Sequence, residues 1–590
     1  MFRYSLFKNI KFLYSVRTMC DKPRMLVRCL DDDDFLDITF RYGNESLKER
    51  QFRFRRSKEE ILSSFYKRII ANINSAITKK RKKSAEQEDN SLLDIPLKIS
   101  YEDVLLNEET KNVEALKEGA IVSIGDAVYE VSVNVPAVRS LKLPSSLMVG
   151  FPVHPILKLE FSNVNDCQFV WYKLISKEER KKIQEEKRPD NILVLNTGSW
   201  LEVCRNYSYI PIADDVGRKL KFVCVPKNGN RIGLEESCES VETVNAGPGH
   251  CPFEDRHMYT RNRAPEHSFR CVSYNLLADR YADSDFSRTV LFPYCPPYAL
   301  DIDYRKQLFM KEIAGYNADI LCLQEVDNSI FINDLVPILK EFYQGNFSQK
   351  GENVTEGVAI FYHISKFRLI SEHTVMIRNI LCEEPIFGEI YKKLAENKNF
   401  IERFQARNSI LQIILLESIE KPGKRLLVGN THLYFHLDAD HIRLVQATIC
   451  FKYLEHLLKK YAEENSCETP ALIFCGDFNS CPEFGVNELA TKGKVSAESA
   501  DWHSNKEEAI VGLSVSHGLK LASACGYPEY TNFTTGFKGC LDYIFYDTNN
   551  LEVEECIPFP TDEQVKQYTA LPNVVFPSDH LALVSTLKWK

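Results

Sequence analysis

Leu472-Ile473-Phe474-Cys475-Gly476-Asp477-Phe478-Asn479-Ser480 is a short apolar run that ends on a carboxylate and, two residues later, a carboxamide. A continuous apolar run of this length reads as a strand covered on both faces, and its polar end falls on the rim of the sheet. Five other segments of the second half repeat the pattern. In chain order they are Ser273-Tyr274-Asn275-Leu276-Leu277-Ala278, Leu323-Gln324-Glu325-Val326, Asn430-Thr431-His432-Leu433, Leu541-Asp542-Tyr543-Ile544-Phe545 and Pro577-Ser578-Asp579-His580. Each brings a carboxylate, an imidazole or a carboxamide to or near one end of an apolar run, which is how a sheet collects polar groups on one rim.

The surrounding pattern alternates strands and helices. Strands are predicted at 269–277, 320–326, 357–362, 426–435, 472–475, 543–546 and 581–589, and helices at 304–316 and 441–460. In the second helix Ile442, Val445, Ile449, Tyr453 and Leu457 share one face. Such alternation suits a layered α/β domain. The expectation is a four-layer α/β sandwich: two sheets face to face with helices outside.

The polar ends suggest phosphodiester chemistry. Glu325 closes a Leu/Ile/Cys run, where a charge is costly unless it is paired or metal-bound. Magnesium takes one or two carboxylates plus waters and phosphate oxygens; a salt-bridged strand-end glutamate is the alternative. Asp477 and Asn479, two apart on an extended segment, face one side and hold one water, which Asp477 activates; an Asx-turn is the alternative. His580 is placed to neutralise phosphoryl charge or protonate the leaving oxygen, with Asp542 as its orienting carboxylate and Asp579 facing the metal. His432 offers a second imidazole. Asn275 holds phosphate oxygens or metal water, or is a satisfied strand-end asparagine. No P-loop, hydrolase elbow or dinucleotide fingerprint is present.

Composition sets limits. At 590 residues the chain has room for several domains. Its 44% hydrophobic and 26% charged residues are those of an ordinary soluble globular protein, and no apolar run reaches the ~18–20 residues of a membrane span. A net charge of -8 does not advertise a nucleic-acid binder, and an acidic rim without a cation would repel phosphate, so the reading depends on metal. The 18 cysteines form no Cys-x-x-Cys pair. Zinc is therefore not indicated, and Cys271, Cys322 and Cys475 read as reduced thiols packed in strands.

The first twenty residues carry Arg3, Lys8, Lys11 and Arg17, with no acid before Asp21. Phe2, Leu6, Phe7, Ile10, Leu13 and Tyr14 trace one helical face. This resembles a mitochondrial presequence over residues 1–22, with the mature protein in the matrix; an ordinary basic tail is the alternative. Residues 23–94 contain a strand at 35–40, a helix near 58–77 and a basic run at 79–83 that reads as a solvated linker. Residues 95–247 form one or two β-rich modules, and the charge run at 177–188 a loop or solvated helix. Gly247-Pro248-Gly249-His250-Cys251-Pro252 breaks regular structure, which leaves 260–590 as the catalytic domain.

The ordered set over 260–590 resembles the endonuclease/exonuclease/phosphatase family of magnesium enzymes. Tyr294-Cys295-Pro296-Pro297-Tyr298-Ala299-Leu300, Tyr304-Arg305-Lys306, Tyr530-Thr531-Asn532-Phe533 and Phe537-Lys538-Gly539 are similar to its deadenylase branch. Segments at 150–161, 246–259, 287–291 and 587–590 carry the resemblance through nearly the whole chain. It implies a DNase I-like catalytic domain behind a smaller β-rich N-terminal region, with Glu325 as magnesium ligand. It implies Asp477 and Asn479 as the water-activating pair, His580 as catalytic histidine supported by Asp542, and Asn275 and His432 as phosphate- or metal-site groups. Phe537 matches an adenine-stacking aromatic, with a buried loop aromatic as the alternative. The implied activity is Mg2+-dependent hydrolysis of 2′,5′-linked oligoadenylate and 3′,5′-linked poly(A), with RNA as partner, no membrane and no obligate protein partner. The rival readings are an abasic endonuclease, an inositol polyphosphate phosphatase, or an inactive RNA-binding scaffold.

Overall fold

The computed structural model describes residues 23–44, 47–84, 95–185, 191–351, 353–465 and 469–590. The presequence expected at 1–22 lies outside them. The chain divides into two compact units.

The first unit comprises residues up to Leu141, with Lys158–Phe169 and Val223–Ser237. It holds a seven-stranded sheet in the order Leu47–Ser57, Phe35–Asn44, Arg24–Cys29, Ala127–Val133, Ile121–Ile124, Leu97–Tyr101 and Val104–Leu105. The helix Leu62–Ser84 packs on one face. Its Leu62, Phe65, Ile69, Ile73 and Ile77 fall near one stripe and are buried with Ile38, Phe40 and Val122. Lys79–Lys83, expected in a linker, instead continues this helix. The sheet also draws strands from both sides of that run, so residues 23–94 are not a separate segment.

The second unit comprises Lys142–Leu157, Val170–Phe222 and Cys238–Lys590. The expected boundary at Gly247 therefore does not coincide with the division of the chain. Buried polar contacts explain this: His154 Nε2 lies 2.8 Å from Asp334 Oδ1, and the Met148 amide donates to Gln307 Oε1 at 3.1 Å. The charge run at 177–188 begins as a helix, Lys177–Glu185, with no buried residue.

Within 260–590 the strands of the two large sheets, in chain order, are β1 (Ser268–Asn275), β2 (Ile320–Asp327), β3 (Tyr343–Gln349), β4 (Glu356–His363), β5 (Phe367–Met376), β6 (Ile410–Ser418), β7 (Arg425–His432), β8 (Ala471–Asp477), β9 (Leu521–Ser523), β10 (Asp542–Asp547), β11 (Leu551–Cys556) and β12 (Leu583–Trp589). One sheet has the order β3-β4-β2-β1-β12-β11, the other β5-β6-β7-β8-β10-β9. Each carries one central parallel pair, β1 with β2 and β7 with β8. The inner faces meet through Cys271, Cys322, Ile360, Ile414, Val428, Cys475, Ile544 and Leu583, all with no measurable exposure. The three expected buried cysteines thus lie in this inter-sheet core. The outer faces are covered by helices α1 (Ile302–Gly315) and α2 (Asp440–Asn465), among others. This is the four-layer sandwich.

Both parallel pairs end at the same rim. Asn275 is opposite Gln324, and His432 is opposite Asp477, which faces Asp542 on β10. Gln324 Nε2 donates to Asn430 Oδ1 at 2.8 Å, and Asn430 Nδ2 donates to the Leu323 and Ala359 carbonyls. These buried amides tie one sheet to the other just below the polar rim.

Candidate active site

Asn275, at the end of β1, is the hub. Its Nδ2 donates to Glu325 Oε1 and to Asp477 Oδ2, both at 3.0 Å, so one amide group separates two carboxylates from opposite sheets. The Ala278 amide donates to Glu325 Oε2 at 2.9 Å. Glu325 sits where the β2–β4 register shifts, with φ of 52°. A bulge re-aims a side chain, here turning a strand glutamate into the rim.

Gly476 is required where it stands: a Cβ there would lie 2.3 Å from the Thr431 carbonyl oxygen on β7. The extended geometry expected for Asp477 and Asn479 is not what forms. Asn479 has φ of 49°, its backbone amide donates to Asp477 Oδ1 at 2.9 Å, and its Nδ2 donates to the Leu433 carbonyl at 3.0 Å. The local Asx-turn wins, and it fixes one Asp477 oxygen while Oδ2 faces the rim. Leu277 also has positive φ, 59°. Strained backbone of this kind concentrates at functional sites.

His580 Nδ1 lies 2.8 Å from Asp542 Oδ2, and its Nε2 lies 3.6 Å from Asp477 Oδ2. Asp542 Oδ2 also accepts from the Thr531 hydroxyl at 2.6 Å. Asp579 accepts from Asn532 Nδ2 at 3.0 Å, while its Oδ1 is 4.0 Å from His580 Nε2. The Ser578 hydroxyl donates to the Asn275 carbonyl at 2.7 Å. His432 Nε2 lies 3.7 Å from Asp477 Oδ2, and its Nδ1 lies 2.9 Å from Lys350 Nζ.

Electrostatics follow from crowding. Burial pushes the Glu325 carboxyl up to about 7, with Glu356 and Asp579 adding to the effect. Burial and then Asp542 push Asp477 up to about 7. Burial, Lys350 and His580 hold His432 well below the usual imidazole range. For His580 burial acts downward, but Asp542, Asp579 and Asp477 together raise it well above that range. His432 is thus the neutral imidazole and His580 the cationic one.

The donors fit a divalent cation. Glu325, Asp477, Asp542 and Asp579 supply oxygens, and the buried Asp542 Oδ1 and Asp579 Oδ1 have no hydrogen-bond partner. Asp477, Asp542 and His580 have ligand atoms within 4.8 Å of one another. Four carboxylates held together out of water outnumber the one cationic imidazole among them, which is costly without further positive charge, and oxygen donors are those of a hard cation.

All eight rim residues expected from the sequence therefore meet in one site. Phe537 lies on the turn between Asn532–Phe533 and Lys538–Gly539 and is 37% exposed, so it is not a buried loop aromatic. A Cβ at Gly539 would lie 2.8 Å from Phe537 Cζ and 2.9 Å from Cys481 Sγ, which places the ring beside the segment that follows Ser480.

Residues 272–580 match the model of the endonuclease/exonuclease/phosphatase family. The chain belongs to this family. Residues 135–245 match a second model, the N-terminal domain of 2′,5′-phosphodiesterase 12-like proteins. The chain is 41% identical to 2′,5′-phosphodiesterase 12 of Rattus norvegicus, over 98% of this chain and 95% of that protein. It is 40% identical to that of Homo sapiens, over 96% and 94%. It is 30% identical to the CCR4-Not complex 3′-5′-exoribonuclease subunit Ccr4 of Mycosarcoma maydis, over 57% and 52%.

Three parts of this family site carry no role in the sequence reading. Lys350 bridges His432 and the buried Glu356, whose Oε1 is 3.0 Å from Nζ and also accepts from Tyr281 at 3.2 Å. Arg305 stands in the sequence only as one residue of a motif. It is fully buried and donates to the Leu276, Leu277 and Pro577 carbonyls, so it clamps two site loops together. Asn532, part of another such motif, holds Asp579. Only the Arg305 and Asn532 blocks left a local signal; Lys350 and Glu356 become meaningful only when β7 is beside β4.

Proposed function

We propose that the chain is a magnesium-dependent exoribonuclease and phosphodiesterase that hydrolyses 2′,5′-linked oligoadenylate and 3′,5′-linked poly(A) to AMP. What carries the reading is the near-whole-chain identity to the rat and human 2′,5′-phosphodiesterase 12, together with a rim in which every acid, amide and imidazole that hydrolysis needs is present.

Glu325 and Asp579 would hold the ion, with Asn275 beside them keeping the Glu325 and Asp477 carboxylates apart. Bound magnesium supplies charge neutralisation for the phosphoryl oxygens and lowers the barrier to in-line displacement. Asp477 Oδ2 is aimed into the rim and accepts the proton of the attacking water. The backbone amide of Asn479 keeps the other Asp477 oxygen in place. His580, cationic and steadied by Asp542, faces the phosphoryl charge and gives its Nε2 proton to the leaving oxygen. His432 turns Nδ1 towards Lys350, which leaves Nε2–H to donate to a phosphate oxygen. Phe537 offers a ring for the adenine, where stacking contributes about 1–3 kcal/mol per base.

We place the activity in the mitochondrial matrix on the strength of the basic, acid-free leader, and a fluorescent fusion of residues 1–40 that remained cytosolic would remove that assignment.

The test is product analysis on matched 2′,5′- and 3′,5′-linked oligoadenylates, with and without magnesium. AMP is expected from both, only with metal, and not from folded Glu325→Ala protein. AMP released by Glu325→Ala at the parental rate overturns the mechanism; a protein inert on oligoadenylate that cleaves an abasic site or an inositol polyphosphate overturns the substrate assignment.

A further inference from the structure

β3 and β5 are edge strands of the two facing sheets, and between them the inter-sheet space turns polar. On β6 Gln412 shares the parity of Ile414 and Leu416, two residues of the inter-sheet core. On β5 the register slips between Leu369 and Ser371. Leu369 packs on the inter-sheet core, whereas Val375, beyond the slip, packs on the outer core under α2. A slip of one residue exchanges the two faces of a strand, so Glu372 and Thr374 turn inward. They meet β3 there. Asn346 Nδ2 donates to Glu372, and the Ser348 and Thr374 hydroxyls hydrogen-bond to each other. Phe347, between those two β3 residues, packs on the outer side. These five polar residues line a cavity of about 420 Å3.

Two amides of the lining are incomplete. Gln412 is 2% exposed. Its Nε2 donates to the Asn346 carbonyl at 2.9 Å, and its Oε1 is buried with no hydrogen-bond partner. Asn346 Nδ2 is committed to Glu372, and Asn346 Oδ1 is likewise buried and unpartnered. With each nitrogen engaged, the oxygen is what either amide has left to offer the cavity. A buried acceptor left unpaired is costly, and native proteins rarely leave one so. Glu372 adds a carboxylate. It is the one charged side chain in the lining, because burial and then Lys460 hold His373 below the usual imidazole range. The cavity therefore presents oxygen acceptors and a single negative charge.

We propose that this cavity binds a monovalent cation, potassium or a primary ammonium group, on Gln412 Oε1, Asn346 Oδ1 and the Glu372 carboxylate. One carboxylate balances one positive charge. Potassium is held by carbonyl oxygens that replace its water shell, and an ammonium group brings three N–H donors to three acceptors. A cavity this polar and this roomy also has space for the waters that complete either shell. The site lies just below the catalytic rim: Gln412 is opposite Asn430 in the β6–β7 register, and Ser348 is two residues before Lys350. It shares no residue with the rim, so it stands whatever substrate the rim cleaves.

The experiment reads the melting temperature of the full chain at fixed ionic strength and fixed magnesium. Tetramethylammonium chloride, whose cation has no N–H and is too bulky for the acceptors, is replaced stepwise by potassium, methylammonium or calcium chloride. A ligand that binds only the folded state raises the melting temperature saturably. The parent is expected to gain a few degrees with potassium, with methylammonium or with both, and the salt that acts names the ion. Glu372→Gln keeps the shape and removes the charge; Glu372 is exposed, so this variant folds. It is expected to need about tenfold more of the same salt for half the gain. Gln412→Leu removes the buried oxygen and is expected to abolish the gain. Equal melting temperatures in all salts describe a cavity filled by water alone and overturn the proposal. A gain with calcium only, which marks a divalent site, overturns it too. So does a potassium or methylammonium gain that Glu372→Gln leaves undiminished, since the ion then sits elsewhere.

Discussion

His580 Nδ1 lies 2.8 Å from Asp542 Oδ2, and this contact decides the protonation of the site. Asp542 is the largest of the carboxylates that raise His580 against the opposing effect of burial. Asp542→Asn keeps the shape and removes the charge. The imidazolium then loses its proton at lower pH, so the alkaline limb of the pH–rate profile is expected to move down. kcat is expected to fall roughly 100- to 10,000-fold, the usual worth of a positioned acid, with little change in KM. A profile with an unmoved alkaline limb would show that His580 is not the titrating acid.

Metal removal has a defined pH signature. Glu325 and Asp477 have folded-state pKa values raised to about 7 by burial, above their unfolded values near 4. The metal-free folded protein therefore binds protons that the unfolded chain has released. Stability is highest below about pH 4 for these groups and is lost as pH rises to about 7, by about 1.4 kcal/mol per group per pH unit within that window. Calorimetry of chelator-treated protein is expected to show a melting temperature that declines from pH 5 to 7.5. Saturating magnesium restores it most at the alkaline end, by ~2.7 kcal/mol at one hundred times Kd. A pH-independent magnesium effect would contradict the buried-carboxylate account.

Asn275 keeps Glu325 and Asp477 apart with one amide nitrogen, 3.0 Å from each. Asn275→Ala leaves Glu325 Oε1 and Asp477 Oδ2 facing each other without the donor that stood between them. The expected cost is about 1–3 kcal/mol in the metal-free state, together with weaker magnesium binding by titration calorimetry. Asn275→Asp adds a third carboxylate at the same place and is expected to be worse without metal and better tolerated with it. Equal melting temperatures for parent and both variants would remove the hub role.

The rim was legible because burial and polarity conflict in one dimension of the sequence. A carboxylate after Leu472-Ile473-Phe474-Cys475 has few bland explanations when five more segments repeat the pattern. What the pattern could not carry was backbone curvature. The bulge at Glu325 and the turn at Asn479 depend on positive φ at non-glycine residues, which no local propensity announces. Strands β3, β5, β6, β9 and β11 also went unread: β3, β5 and β11 have mixed burial, as in the run FRLISEHTVM of β5, and β9 has three residues, whereas β6 is a continuous apolar run, ILQIILLES, that the reading passed over. The Lys350–His432 contact spans 82 residues and exists only because the two sheets face each other.

Phe537 is expected to act on substrate alone. It is 37% exposed, so Phe537→Ala leaves no cavity in the core and the melting temperature is expected to hold. Loss of one stacked base at about 1–3 kcal/mol raises KM for oligoadenylate roughly tenfold or more. Phe537→Trp is expected to restore it. A parental KM in the alanine variant would place the adenine elsewhere.

Lys350 offers the sharpest separation of structure from chemistry. Its side chain is 13% exposed, and the ammonium sits 3.0 Å from Oε1 of Glu356, whose side chain is 1% exposed, and 2.9 Å from His432 Nδ1. Lys350→Met strands a buried carboxylate, which costs about 3–5 kcal/mol when its partner alone is removed. The double variant Lys350→Met/Glu356→Gln removes both charges and is expected to recover most of that stability, since Tyr281 can still donate to the amide oxygen that replaces the carboxylate. It does not recover the His432 geometry: without the ammonium at Nδ1, the ring no longer has one preferred tautomer and the Nε2–H donor is populated only in part. Activity of the double variant is therefore expected to stay about tenfold or more below the parent while its melting temperature returns. Joint recovery of both would reduce Lys350 to a counter-ion of Glu356 and leave His432 held by packing alone.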